Sequence, residues 1–314
     1  MAELKVGTVV LWQNLSSVLA RFRLMPQAVS RFPEYLAGQY MALQRQNCRL
    51  TKAVVGADGR THYVPDLDAA GNQKYGPVTH SYSIASAPFE TREAGHLEFY
   101  VVLEKAEDGD FGRLSRSFFE IDPPEDDRIK YVDRIAGAFT LEKRAKGFTS
   151  VFMVGTGSGL APFASMIKQL HFEAGSRPPE AIQYTLLHAN RTYEELGYHE
   201  ELLAIEASRR LDFVYVPSVS RPTPRDLENP AVGRGRANNL LRHVLGMPPK
   251  EANESITPTR VVEPALPRHL DRSMLQGRLV PGRSVILTCG NPAMMADIQH
   301  IADNAGVRFE KEDW

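Results

Sequence analysis

A compact apolar run, Ser150 to Val154, passes without a break into Gly155-Thr156-Gly157-Ser158-Gly159 and then into Ala164 to Glu173, where apolar residues recur at helical spacing. The alternation continues. Strand-like Gln183 to His188 precedes helix-like Tyr193 to Ala207, Leu211 to Val216 precedes Ala237 to Leu245, and Ser284 to Cys289 precedes Ala293 to Asn304. Strands that alternate with helices are joined by right-handed crossovers, which predicts a mostly parallel, doubly wound sheet.

The sequence before Lys143 has a different character. Short segments rich in Val, Tyr, Phe and Leu, among them Val6 to Trp12, Val18 to Leu24, Gln39 to Leu43 and Leu97 to Leu103, are separated by turn formers. This pattern predicts an antiparallel barrel or sandwich. The change falls near 143–149, so the expected division is residues 1–146 and 147–314. Residues 54–78, dense in Gly, Asp and Pro, read as a long hairpin or loop insertion. Residues 247–283, rich in Pro and charge, read as a surface insertion, partly helical at His269 to Leu275.

The bulk numbers narrow the function classes. With 314 residues, 43% of them hydrophobic, there is material for two cores. A formal net charge of -1 gives no basic field to attract nucleic acid or an anionic membrane. Cys48 and Cys289 are the only cysteines, too few for a disulfide framework or for the four thiolates of an iron-sulfur cluster. The N-terminal segment lacks a signal-peptide pattern, and no apolar run approaches the roughly 20 residues that cross a bilayer. The expectation is a soluble cytoplasmic protein with no catalytic metal.

A glycine-rich turn between a strand and a helix lets backbone N–H groups approach a pyrophosphate at the helix N-terminus. No Lys-Ser or Lys-Thr follows the glycines, so the turn is not a phosphate loop of the nucleotidase kind. With Ala161-Pro162-Phe163 behind it, the segment resembles the dinucleotide loop of the ferredoxin-NADP(+) reductase family, bacterial type. That resemblance implies a flavin-binding antiparallel β-barrel followed by an α/β parallel-sheet domain that binds NADP.

Other motifs follow in the family's order. His80-Ser81-Tyr82-Ser83 resembles the family's Arg-x-Tyr-Ser strand, which implies that residue 80 meets the flavin diphosphate, Tyr82 packs on the isoalloxazine and Ser83 bonds near N5. His80 departs from the pattern, because histidine lacks the permanent planar fork that arginine offers a phosphate; Arg113 and Arg116 are alternative cations. Gly38-Gln39-Tyr40 resembles the strand preceding the flavin site. Leu97 to Val102, with Tyr100 and Val102, followed by Asp110-Phe111-Gly112 and by Leu114 and Ser115, resembles the second flavin strand and its phosphate-facing turn. Ala136-Gly137-Ala138-Phe139-Thr140-Leu141 resembles the strand that closes the barrel.

In the second half, Gly155, Thr156 and Gly157 form the dinucleotide loop, Ser220, Arg221 and Arg236 look like the hydroxyl and guanidinium set that meets the 2′-phosphate, and Arg191 resembles a further dinucleotide-side arginine. Arg225 and Arg234 compete with Arg236, whose register with Leu240 favours it. Cys289-Gly290-Asn291-Pro292 with Met294 resembles the element beside the nicotinamide. Glu312 and Trp314 resemble a terminal carboxylate near the reacting atoms and an aromatic residue covering the flavin ring.

The resemblance thus implies hydride transfer between NADPH and FAD, with Ser83, Cys289 and Glu312 around the reacting atoms, and single electrons passed to or from ferredoxin or flavodoxin. Other readings are the reductase component of an oxygenase, a flavin or quinone reductase, or a flavin-binding electron-transfer subunit of a larger complex.

Overall fold

The computed structural model describes residues 3–27, 30–56, 59, 61–105, 111–175, 181–250 and 262–312. From its N-terminal end the chain forms β1 (Leu4–Ser16), β2 (Leu19–Pro26), β3 (Tyr40–Arg49), β4 (Thr51–Val55), β5 (Thr61–Pro65), β6 (Tyr75–Ser83), β7 (Leu97–Val102) and β8 (Arg128–Ala136). Six of these make one antiparallel sheet in the order β6-β3-β8-β1-β2-β7. A bridge between Ile84 and Phe99 joins its two edges, so the sheet curls into a barrel. Alternation drives this closure. Ala20, Phe22 and Leu24 are buried while Arg21 and Arg23 between them face outward. Phe22, Phe99 and Phe118 meet in the interior with ring centroids 5.3 and 5.5 Å apart.

Two expectations change here. The hairpin β4–β5 stands off the barrel with Val55 and Tyr63 exposed, but Tyr75 to Val78 belong to β6 and Val78 is buried, so the insertion is shorter than 54–78. The segment 136–141 is not a strand. β8 ends at Ala136, Gly137 turns with φ +111°, and Leu141 begins a short helix, because Phe139 leaves the barrel to pack edge-on against Phe163. Gly38 is what permits that exit: a Cβ there would lie 2.0 Å from the Phe139 carbonyl oxygen.

Between Ala136 and Ser150 the chain passes to a second sheet, built from β9 (Ser150–Thr156), β10 (Gln183–Asn190), β11 (Asp212–Val219), β12 (Gly233–Arg234), β13 (Ser284–Cys289) and β14 (Arg308–Lys311). The order is β12-β11-β10-β9-β13-β14 and every pairing is parallel. Helices cover both faces, which leaves β9 and β13 almost wholly buried.

The predicted helix from Tyr193 to Ala207 is interrupted. A single helical turn at Tyr193–Glu195 gives way to Tyr198 in the left-handed region (φ 60°) before the helix His199–Ser208. This strained turn aims the Tyr198 hydroxyl at Glu98 on the barrel, to which it donates at 2.7 Å. Nor is 247–283 only a surface insertion. Leu270, Leu275 and Leu279 are buried in the core beneath the helix Ala237–Leu245, with which the helix Arg272–Gln276 packs.

The two sheets are firmly joined. Phe89, in the helix Pro88–Ala94, stacks on Phe172 of the helix Ala161–Ala174 with centroids 4.2 Å apart and planes 3° from parallel. Lys168 of the longer helix is buried and pairs with Glu90 of the shorter one at 2.6 Å.

Candidate functional site

The C-terminal ends of β9, β10, β11 and β13 face the β6 and β7 edge of the barrel across a cleft of about 1490 Å³. A single small-molecule site occupies about 300–1000 Å³, so this one is large enough for more than one ligand. Parallel sheets place ligands at the carboxyl ends of their strands because helix N-termini and loops converge there.

On the barrel side, His80, Ser81, Tyr82 and Ser83 of β6 line the cleft. The Tyr82 ring packs edge-on against Phe118, and burial pushes its hydroxyl far above the usual tyrosine range. Tyr100 and Val102 of β7 form the adjoining wall, with Gly112, Arg113, Leu114 and Ser115 beyond them. Gly112 precedes the helix Arg113–Phe119, and a Cβ on it would lie 2.7 Å from Ser115 Oγ, so the turn closes tightly on that hydroxyl. Of the two alternative cations, Arg113 lines the cleft and Arg116 instead pairs with Glu120 at 2.8 Å. Asp110 and Trp314 lie outside the described residues.

Across the cleft, Thr156 and Gly157 turn from β9 towards the helix Ala161–Ala174, while Gly155 remains in the buried strand. Gly157 has φ +55°, and no atom lies within 4 Å of where its Cβ would be, so the turn offers bare backbone to the open cleft. Two further glycines lock this turn to the next strand. A Cβ on Gly159 would lie 2.2 Å from the Cys289 carbonyl oxygen, and one on Gly290 (φ +131°) would lie 2.4 Å from Thr156 Oγ1. Gly290, Asn291 and Met294 line the same region, and Asn291 caps the helix Pro292–Asn304 by accepting from the Met294 N–H.

Behind the cleft wall at Ser83 is a buried polar trio drawn from both sheets; of the three residues expected around the reacting atoms only Ser83 lines the cleft, while Cys289 and Glu312 sit behind it. The register of β13 and β14 pairs Thr288 with Lys311, which sets Glu312 beside Cys289. Glu312 Oε2 accepts from Cys289 Sγ at 3.1 Å and from Ser83 Oγ, at the end of β6, at 3.2 Å. Ser83, Cys289 and Glu312 are 5%, 1% and 3% exposed, so bulk water is excluded from all three. Burial, and then the Glu312 carboxylate, push the Cys289 thiol well above its usual pKa, which keeps it a neutral hydrogen-bond donor near pH 7.

At the far end of the cleft Ser220, Arg221, Arg236 and Arg191 are brought together, and neither Arg225 nor Arg234 lines it. Arg191 is engaged within the chain: its Nη2 and Nε meet the two carboxylate oxygens of Glu195 at 2.6 and 3.0 Å. Asn190, Asn238, Asn239 and Lys250 also line the cleft, and no motif marks them. The Tyr100 hydroxyl donates to the Glu195 carbonyl at 2.8 Å and accepts from Gly197 N–H at 3.3 Å, so it ties the barrel to the parallel sheet.

Residues 153–248 match the family model described as the oxidoreductase NAD-binding domain. No curated protein sequence is significantly similar to the chain. Among solved structures, the chain resembles a ferredoxin NADP+ reductase from Neisseria gonorrhoeae with bound FAD and NADP, at 21% identity over 99% of both chains and a TM-score of 0.62. It also resembles the cytochrome b5 reductase domain of Ulva prolifera nitrate reductase, at 17% identity, 98% of this chain, 97% of that one and a TM-score of 0.57. A cytochrome P450 reductase from Amycolatopsis is 17% identical over the whole of this chain and 71% of its own, with a TM-score of 0.60.

Proposed function

On the premise that this chain carries an oxidoreductase NAD-binding domain on the two-part fold of the ferredoxin-NADP(+) reductases, we propose that it is a flavoprotein reductase in which residues 1–146 hold FAD and residues 147–314 hold NADPH. The observation that carries this reading is that the His80–Ser83 strand and the Thr156–Gly157 turn open on one cleft, with the Ser83–Glu312–Cys289 trio set behind its Ser83 wall. The donor set suits a phosphate-rich ligand on both sides, with bare backbone at Gly157, a hydroxyl at Ser220, and guanidinium groups at Arg113, Arg221 and Arg236. FAD bound there would supply the redox chemistry, because an isoalloxazine accepts an electron pair from a nicotinamide and releases electrons singly.

The side chains orient and manage protons. Ser83 donates its hydroxyl proton to Glu312, which leaves the Ser83 oxygen free to accept from an N–H at the reacting edge. Glu312 is then the acceptor that would take up a proton held at Ser83 Oγ. Cys289 stays a neutral thiol behind the cleft wall, where it donates to Glu312 and is no nucleophile. Arg221, Arg236 and Ser220 favour the 2′-phosphate of NADPH over NADH.

The acceptor in this reading is a one-electron carrier, ferredoxin or flavodoxin. The likeness in fold to a cytochrome P450 reductase supports, as a second reading, the reductase component of an oxygenase. An anaerobic titration of the purified protein with NADPH and then NADH, followed by flavin absorbance, tests the proposal. Stoichiometric bleaching by NADPH with a much weaker NADH response is expected; a protein that binds neither flavin nor NADPH would refute it.

A further inference from the structure

Asp297, in the helix Pro292–Asn304, is 3% exposed and lies where the cleft meets the helix Ala237–Leu245. Arg242 engages it through two contacts, Nη2 to Oδ1 at 2.6 Å and Nε to Oδ2 at 3.2 Å, and Asn238 donates to Oδ2 at 2.7 Å. Burial opposes the charge of Asp297, yet donation from Arg242, Asn238 and Lys250 holds its pKa down to about 2. One cation therefore already matches this carboxylate. Lys250 is a second one, 3.2 Å away at Oδ1, with a side chain 56% exposed in the cleft.

The position of Lys250 is built into the fold. Its backbone N–H donates to Asn239 Oδ1 at 2.9 Å and its carbonyl accepts from Asn239 Nδ2 at 3.2 Å, which clips residue 250 to the first turn of the helix Ala237–Leu245. Beside it, Asn238 is 7% exposed and lines the cleft, and its Oδ1 has no partner among the described residues. The amide cannot simply be reversed, because an ionised Asp297 only accepts and so must face Nδ2.

We propose that Lys250 and Asn238 complete the adenosine end of the dinucleotide site: Lys250 leaves Asp297 to meet the 2′-phosphate together with Arg221 and Arg236, and Asn238 Oδ1 accepts an N–H or O–H of the adenosine. This rests on the NADPH reading above and gives the start of the 247–283 segment a role in cofactor choice. Asp297 stays satisfied by Arg242 and Asn238 when Lys250 departs, so the exchange leaves no buried charge unmatched.

The test is isothermal titration of the purified full chain with 2′,5′-ADP and, separately, with 5′-AMP. For Lys250→Met we expect 2′,5′-ADP to bind about tenfold more weakly, the lower end for a hydrogen bond to a charged group, with 5′-AMP unchanged. Lys250→Arg should recover most of the loss, and Asn239→Ala, which releases the clip, should show part of it. Unchanged 2′,5′-ADP affinity in Lys250→Met would overturn the inference and leave the NADPH reading standing. Equal weakening of both nucleotides would overturn it too, as a general distortion. A wild-type chain that binds neither nucleotide would remove the NADPH reading with it.

Discussion

His188 is wholly buried, with Nδ1 3.0 Å from the Tyr215 hydroxyl, which also lies 3.3 Å from His199 Nδ1. Burial first, and then the neighbouring His199, lower the His188 pKa from 6.5 to about 3. Above pH 6.5 the ring is neutral in both folded and unfolded chains, and its contribution to stability is complete. Between pH 6.5 and 3 the unfolded chain binds a proton that the folded one refuses, so stability falls as pH falls, by up to about 1.4 kcal/mol per unit. Urea unfolding at pH 7, 6 and 5 should show this slope, and His188→Asn, which keeps a polar atom near Nδ1, should flatten it; the same slope in the variant would refute the assignment. At this scale the sequence is legible where a motif repeats a chemical need: Gly157 and Ser83 line one cleft, and Cys289 is joined to Ser83 through Glu312 behind it. It is silent where a role depends on distant partners. Nothing local to Asn190 or Lys250 announces a cleft.

Elements reveal themselves by period, and they mislead where tertiary contacts override it. The alternation of strands and helices after residue 149 is plain because each strand has an apolar run at its centre. The helix expected from Tyr193 to Ala207 fails at Tyr198, whose left-handed backbone is held by a hydroxyl contact to Glu98, about a hundred residues away in sequence and invisible to any local pattern. The charged, proline-rich 247–283 segment hides Leu270, Leu275 and Leu279, too widely spaced to read as one amphipathic face. Contacts between elements also carry energy. Lys168 is 4% exposed, pairs with Glu90 and lies 5.1 Å from the centre of the Tyr198 ring. Removing only the carboxylate, in Glu90→Ala, strands a buried ammonium and should cost about 3 kcal/mol. The double variant Glu90→Ala, Lys168→Met should be less destabilised than that single one. Denaturant unfolding decides, and simple additivity would mean the pair is not coupled.

At the scale of the whole molecule, the barrel and the parallel sheet share their walls as well as their cleft. Tyr100 spans the join: it is 2% exposed, with its ring edge-on to Tyr198 and its hydroxyl on the Glu195 carbonyl and the Gly197 N–H. Tyr100→Phe removes both bonds, but the Glu195 carbonyl still accepts from Asn190 Nδ2 at 2.5 Å and from Gly197 N–H at 2.9 Å, so the cost should be about 1 kcal/mol. Because the contact links two units, calorimetry should show a single transition for the wild type and a broadened or divided one for the variant. An unshifted single transition in Tyr100→Phe would place the coupling elsewhere.

The spacing across the polar trio behind the cleft is set by an absence. Gly159 lies so close to the Cys289 carbonyl that one added carbon must push β13 aside, and the thiol and its carboxylate partner must travel with it, away from a serine anchored in the barrel. A single hydrogen atom, the one that stands for a side chain at position 159, therefore acts as the gauge block of the centre. The reach from Ser83 to Glu312 can be lost by a substitution at a residue that touches neither of them.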